Sequence, residues 1–187
     1  MGKDVDSNPV TTAGTTSSVQ NNAGSSDEKS EQKAEPSLQQ LLEPVLDKAL
    51  FPDANTVVSG QLSEEVIDKL AEAGIEHVIN LQPESELTFD EKAAVEAHGM
   101  AYTHLPIAKT DDLKQLNLLE FDKALRTHHG KKTLLHCDSG NKVGAVVALR
   151  AGWLRGRKMD TAMQRGKDHG LQQDLEQEVH MRLLVPR

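Results

Sequence analysis

The sequence predicts an α/β fold, with a central and mostly parallel sheet flanked by helices, from about residue 50 onward. Three observations carry that prediction. Short apolar clusters of strand length recur at 55–58, 77–81, 101–107 and 133–136. The segments between them carry apolar residues at helical spacing. Polar capping residues stand before these helical segments and glycines after them. Strand–helix alternation of this kind closes into a parallel sheet with helices on its faces.

The elements follow in order. Asn55, Thr56, Val57 and Val58 read as a short first strand. Ser63 can cap a helix with Glu64 and Glu65 in its first turn, where acidic side chains suit the positive end of the dipole. Val66, Ile67, Leu70 and Ala71 share one face of it, and Gly74 ends it. His77 to Leu81 is the next strand. Thr88 and Glu91 have the spacing of a capping box, opening a helix that runs through Ala97 and stops at Gly99. The strand from Ala101 to Ile107 is ended by Pro106. Leu116, Leu119, Phe121 and Leu125 stripe a helix between Asp112 and Thr127, broken at Gly130. Thr133 to His136 is apolar and short, as expected of a buried central strand. The run from Val143 to Leu154 is apolar nearly all round and predicts a core helix. Leu171, Leu175, Val179 and Leu183, four apart, predict one more amphipathic helix.

The flanks differ. The first 36 residues hold only seven apolar ones, too few to offset the entropy of ordering, so residues 1–40 are expected to be a disordered tail. Such a stretch also suits a spacer left after an export or lipoprotein signal is removed. Met1-Gly2 departs from a myristoylation pattern because Asp6 stands where Ser or Thr is required. At the other end, Leu184, Val185, Pro186 and Arg187 match what thrombin leaves of an engineered site, so 184–187 is read as a vector remnant.

At 187 residues the chain has room for one domain and a tail, and its net charge of −8 argues against a general nucleic-acid binder. No apolar run approaches the roughly 18–20 residues of a membrane span, so a soluble protein is expected, cytoplasmic or exported with its signal removed. One cysteine, Cys137, excludes an intrachain disulfide and any multi-thiolate zinc site.

The informative stretch is Leu134-Leu-His-Cys-Asp-Ser-Gly-Asn-Lys-Val-Gly144. A buried strand ends at His136-Cys137, and a core helix starts about six residues later, which places Cys137 at a helix N-terminus. Asp138, Ser139, Gly140, Asn141 and Lys142 then form a loop whose backbone N–H groups can cradle an anion. The same field is expected to lower the Cys137 pKa and make it a nucleophile. Gly140 would supply a left-handed turn and Gly144 close helix packing, Ser139 a hydrogen bond to sulfur, and Lys142 a positive charge for phosphate.

At these residues the sequence resembles the cysteine-dependent phosphatases of the dual-specificity type. The resemblance is to a bacterial branch, the dual-specificity-phosphatase-like or beta-lactamase-hydrolase-like proteins, whose loop has Arg five positions after Cys. Here that position is Lys142. Val58-Ser-Gly-Gln-Leu-Ser-Glu-Glu-Val-Ile-Asp-Lys-Leu70 and Gly74-Ile-Glu-His-Val-Ile-Asn-Leu81 also resemble that family's opening strand–helix–strand. The likeness covers roughly residues 55 to 171 and makes 41–183 a phosphatase-like domain.

The resemblance implies hydrolysis of phosphate monoesters, on a phosphorylated protein or a small molecule, through a phosphocysteine. It implies no metal or other cofactor, and an Asp from a mobile loop as general acid. The matching loop holds Asp111 and Asp112, 26 and 25 residues before Cys137. Asp112 is the preferred acid; either can instead cap the following helix, and a capping Asp112 would leave Asp111 as the acid. Lys in place of Arg implies weak activity, because a point charge does not grip two phosphate oxygens as a planar fork does. Two rival readings stay open: a non-catalytic phosphate- or phosphopeptide-binding module, and rhodanese-like sulfur transfer on the same thiol. Other histidines, His104, His128 and His129, show no metal-ligand spacing, and His136 reads as a loop-fixing residue. Arg155, Arg157 and Lys158 read as a solvated helix end that can also recruit an acidic substrate. The sequence leaves the oligomeric state open.

Overall fold

In a computed structural model that describes residues 35–185, the four apolar clusters become the parallel core of one sheet. Residues 1–34 and 186–187, where most of the expected tail and the last two residues of the expected vector remnant fall, lie outside the described residues. The strands are β1 (Leu50–Asp53), β2 (Thr56–Ser59), β3 (His77–Asn80), β4 (Ala101–His104) and β5 (Thr133–His136). They lie in the order β1-β2-β5-β3-β4, with β1 antiparallel to β2 and every other pairing parallel. The register aligns Ser59, His136 and Asn80, and pairs Asn80 with His104, so four strands end at one level.

The helices are α1 (Leu38–Leu42), α2 (Ile67–Glu72), α3 (Glu91–Ala97), α4 (Gln115–Thr127), α5 (Asn141–Leu149), α6 (Met159–Asp168) and α7 (Gln173–Leu184). Two cores cover the two sheet faces. On one side Val58, Ile79, Leu81, Leu135 and Cys137 pack with Phe121 of α4, most of α5 and Val179 of α7. On the other, Val57, Val78 and Leu134 pack with Leu38 and Leu42 of α1, Ile67 and Leu70 of α2, and Val95 of α3. Adjacent strand residues thus belong to opposite cores, as period-two alternation requires. No helix among the described residues is long and apolar enough to cross a membrane.

Several boundaries differ from the sequence reading. The ordered chain starts before residue 41: Leu38 is buried, and α1 opens with a capping box between Ser37 and Gln40. Three elements, α1, β1 and α6, have no counterpart in that reading. Strand β4 ends at His104, and Leu105 and Ile107 continue as loop, donating to Asn80 and Leu81 carbonyls at 2.9 Å each. The last helix starts at Gln173, because Leu171 is used elsewhere: a Cβ on Gly144 would run into its backbone. The expected left-handed turn at Gly140 is present, with φ of 82°.

Candidate active site

Strand β5 is buried along its whole length between β2 and β3, which fixes where its last residues point. Alternation sends His136 to the α3 side and Cys137 to the α5 side. The chain then turns through Asp138 and Ser139, both exposed, and enters α5 after Gly140. The Gly140 N–H donates to the Cys137 Sγ at 3.0 Å.

The turn is braced from outside. Gln61 N–H donates to the Asp138 carbonyl at 3.3 Å, and a Cβ on Gly60 would come within 2.9 Å of that oxygen. Gly170, at φ of 103°, backs directly onto the Gly140 carbonyl, where any side chain would collide. The Asn141 side chain donates to Asp174 Oδ1 at 2.7 Å and accepts from the Gln172 N–H at 2.8 Å. It is thus committed to the start of α7, leaving its main-chain N–H in the first turn of α5 for an anion.

Sulfur chemistry in this setting is a contest between burial and hydrogen bonding. Cys137 is 1% exposed, and burial pushes its thiol up from the ordinary value. The backbone N–H groups of Val143, Ser139 and Lys142 pull it down, and the neighbouring Asp138 carboxylate pushes it up. The net shift is upward, against the sequence expectation of a lowered pKa. That expectation weighed the helix-start amides and left out desolvation, which disfavours the thiolate.

Lys142 Nζ turns away from the turn and donates to the Ala108 carbonyl at 3.2 Å. That contact brings the loop carrying Asp111 and Asp112 against the Cys137 turn. Asp112 Oδ2 accepts from Ala108 and Lys109 N–H at 2.9 and 3.2 Å, closing a 3-10 turn over Thr110–Asp112. The Lys109 and Ala108 amides hold its carboxyl below the usual range. Asp111 is exposed, and among the described residues its one charged partner is Lys109 Nζ, 3.9 Å away. Neither caps α4, whose preceding residue is Lys114. Arg150 is bound to Asp122 at 2.8 Å, at the other end of α5.

Sequence reasoning missed Glu91. It was read as part of a cap, but Asp90 caps α3, accepting from the Ala93 N–H at 3.1 Å. Glu91 instead buries its carboxylate, 1% exposed, against His136 Nε2 at 2.8 Å. The signal was available: Glu91 lies four residues before the buried Val95, on the inward stripe of its helix. Tyr102 stands beside the pair and accepts from Asn80 Nδ2 at 3.0 Å. Burial raises its hydroxyl pKa, a rise the Asn80 bond partly offsets and the Glu91 carboxylate reinforces. Glu91, Tyr102 and His104 also line an open cavity of about 840 Å³ on this side of the sheet.

No protein-family model and no curated protein matches the chain. Solved structures do. Tk-PTP in its active form is 24% identical, with a TM-score of 0.56 over 72% of this chain and 95% of that one. A DUF442 protein of Shewanella putrefaciens CN-32 is 22% identical, with a TM-score of 0.57 over 74% and 89%. PTPMT1 in complex with PI(5)P is 14% identical, with a TM-score of 0.56 over 74% and 97%. The fold is that of the dual-specificity type of cysteine phosphatase.

Proposed function

We propose that this chain is a cysteine-dependent phosphatase-like hydrolase of phosphate monoesters, carried by phosphorylated proteins or by small molecules, and that it is a slow one. The observation that carries the proposal is the placement of Cys137. It sits at the end of a buried central strand, under a Gly140 left-handed turn, with main-chain N–H groups directed at its sulfur.

In the first step the Cys137 thiolate attacks phosphorus, forming the S–P bond as the P–O ester bond breaks. The departing oxygen takes a proton from Asp111. In the second, a water oxygen attacks phosphorus and the S–P bond breaks, while the Asp111 carboxylate takes the water's proton. Inorganic phosphate leaves and the thiolate is restored. The backbone N–H groups from Asp138 to Lys142 hold the non-bridging oxygens. Asp111 is preferred as acid because both loop amides are already spent on Asp112 Oδ2. Asp112 then positions the loop.

One second reading has an observation of its own. A buried thiol pushed up in pKa, with the loop's cation turned to Ala108, suits a receptor that binds phosphate in its ground state. An aryl phosphate, and separately thiosulfate with cyanide as sulfur acceptor, each given to wild type and Cys137→Ser, separate the readings. Phosphate release lost in the variant supports hydrolysis. Phosphate binding in both without turnover selects the receptor, and thiocyanate production would select sulfur transfer.

A further inference from the structure

Asp122, in the middle of α4 and almost fully buried, accepts hydrogen bonds from three arginines. Arg126 Nε reaches Oδ2 at 2.8 Å, while Arg150 Nε and Arg155 Nη2 reach Oδ1 at 2.8 and 3.0 Å. One carboxylate against three guanidiniums leaves two positive charges over, and none of the three pairs with another carboxylate among the described residues. A structural ion pair needs one arginine, and the second and third repel the first.

Two further features make this more than a stabilising knot. The helix after α5 winds as a π turn over Arg150–Leu154, with the Arg155 N–H donating to the Arg150 carbonyl at 3.1 Å. That five-residue step puts Arg150 and Arg155 on one side, aimed at the same oxygen. Such turns are rare and favour functional positions. In addition, the Nη groups of Arg126 and Arg150 have no hydrogen-bond partner among the described residues, and the Arg126 side chain is 63% exposed. Arg157 and Lys158 follow in the same exposed loop.

We propose that this cluster is a docking surface for a carboxylate-rich polypeptide segment of a partner or substrate protein. Guanidinium forks match carboxylate pairs, and their spread over an open surface fits an extended chain carrying several of them. Neither the cavity beside Glu91 and Tyr102 nor the one between α6 and α7 includes these residues. Nucleic acid is the other polyanion that guanidiniums hold, and the test below includes it. Helix α5 separates the cluster from the Cys137 turn by nine residues, about 13 Å, so a segment held there leaves the turn open.

The test is fluorescence anisotropy of a labelled decaglutamate peptide with the full chain at low and physiological salt. Arg126→Gln with Arg155→Gln removes two exposed arginines and leaves Arg150 to hold Asp122; a thermal melt checks the fold. The expected result is binding at least tenfold weaker in the double variant and unchanged in Lys69→Gln, a surface change elsewhere. If the double variant melts early, Arg157→Gln with Lys158→Gln, which leaves Asp122 and its three arginines in place, provides the second arm and should also weaken binding. No binding to wild type, equal weakening by Lys69→Gln, or an oligonucleotide that binds the cluster more tightly than the peptide would overturn the proposal. The readout needs no turnover, so it stands or falls apart from the hydrolase reading.

Discussion

The two ends of α5 handle charge in opposite ways. At the start, main-chain N–H groups face the Cys137 sulfur, and the one lysine there faces a carbonyl instead. At the far end, three guanidiniums crowd one carboxylate. The difference separates holding an anion from reacting with it. Backbone donors are fixed by the fold and suit a phosphate at rest, whereas gripping the equatorial oxygens of a transferring phosphoryl group needs a planar, charged fork. This chain has such forks, at the end where they serve recognition.

The largest expected effect lies in the loop beside the first end. If Asp111 is the acid, Asp111→Asn lowers kcat on an alkyl phosphate by roughly 10²–10⁴, since the leaving oxygen then departs unprotonated. Asp112→Asn keeps an oxygen for the Ala108 and Lys109 amides and lowers it less. Steady-state kinetics on alkyl and aryl leaving groups measure both, and the aryl substrate should suffer less from either change. A larger loss from Asp112→Asn would reverse the two roles.

A histidine pair at the start of β3 should set the acid sensitivity of the fold. His77, at the start of β3, is buried with its ring 3.8 Å from that of His128, just past the C-terminus of α4. Burial, then His128 and Lys131, push its pKa down to about 4. The folded state therefore keeps it neutral while the unfolded chain protonates it. Stability is fully present above the ordinary imidazole value of about 6.5 and is lost as pH falls toward 4, by up to about 3 kcal/mol. Urea melts between pH 7 and 4 measure the slope, and His77→Gln should flatten it. An unchanged slope would move the acid sensitivity elsewhere.

How much of this was legible in the sequence follows the same division. Elements governed by local pattern could be read: β2, β3 and β5 from their apolar clusters, and Gly140 and Gly144 from the turn and the crossing they permit. Helix α4 lies where its apolar spacing predicts, but its inward face differs: Leu116 and Leu119 of the expected stripe are exposed, and Leu118 packs inward with Phe121. What escaped depends on partners distant in sequence. Glu91 meets His136 across 45 residues, and nothing in a capping pattern shows that a carboxylate faces inward rather than toward its own helix. Asn141 looked like a loop ligand because its pairing with Asp174 arises only when α7 docks. Helix α6 was missed because Gly166 breaks its apolar pattern, yet that glycine lies directly against Gly144 and Ala148 of α5. The thiol pKa was misjudged because the amides around it are local and the burial is not.

Moving a fork to the Cys137 end sharpens the contrast directly. Lys142→Arg should raise kcat/KM on an aryl phosphate by about one to two powers of ten, the worth of a charge-assisted hydrogen bond of roughly 1.5–3 kcal/mol. Lys142→Met should weaken phosphate binding as well as turnover. A wild type that already turns over efficiently, with no gain from arginine, would mean that lysine leaves Ala108 and replaces the fork fully.

The smallest effect concerns the sulfur itself. Iodoacetamide alkylation followed against pH should give Cys137 a midpoint at or above that of a free thiol, about 8.5, because burial outweighs the amides. Asp138→Asn removes a nearby carboxylate and should move the midpoint down, though slightly, since that side chain is exposed and water screens it. A bound dianion should raise it by the same like-charge logic, so inorganic phosphate ought to slow alkylation at every pH. A midpoint well below 8.5 in the unliganded protein would mean that the turn opens to water more than this arrangement allows. The thiolate would then be ready before substrate arrives, and the start of α5 would be a reactive site held back only by its missing fork.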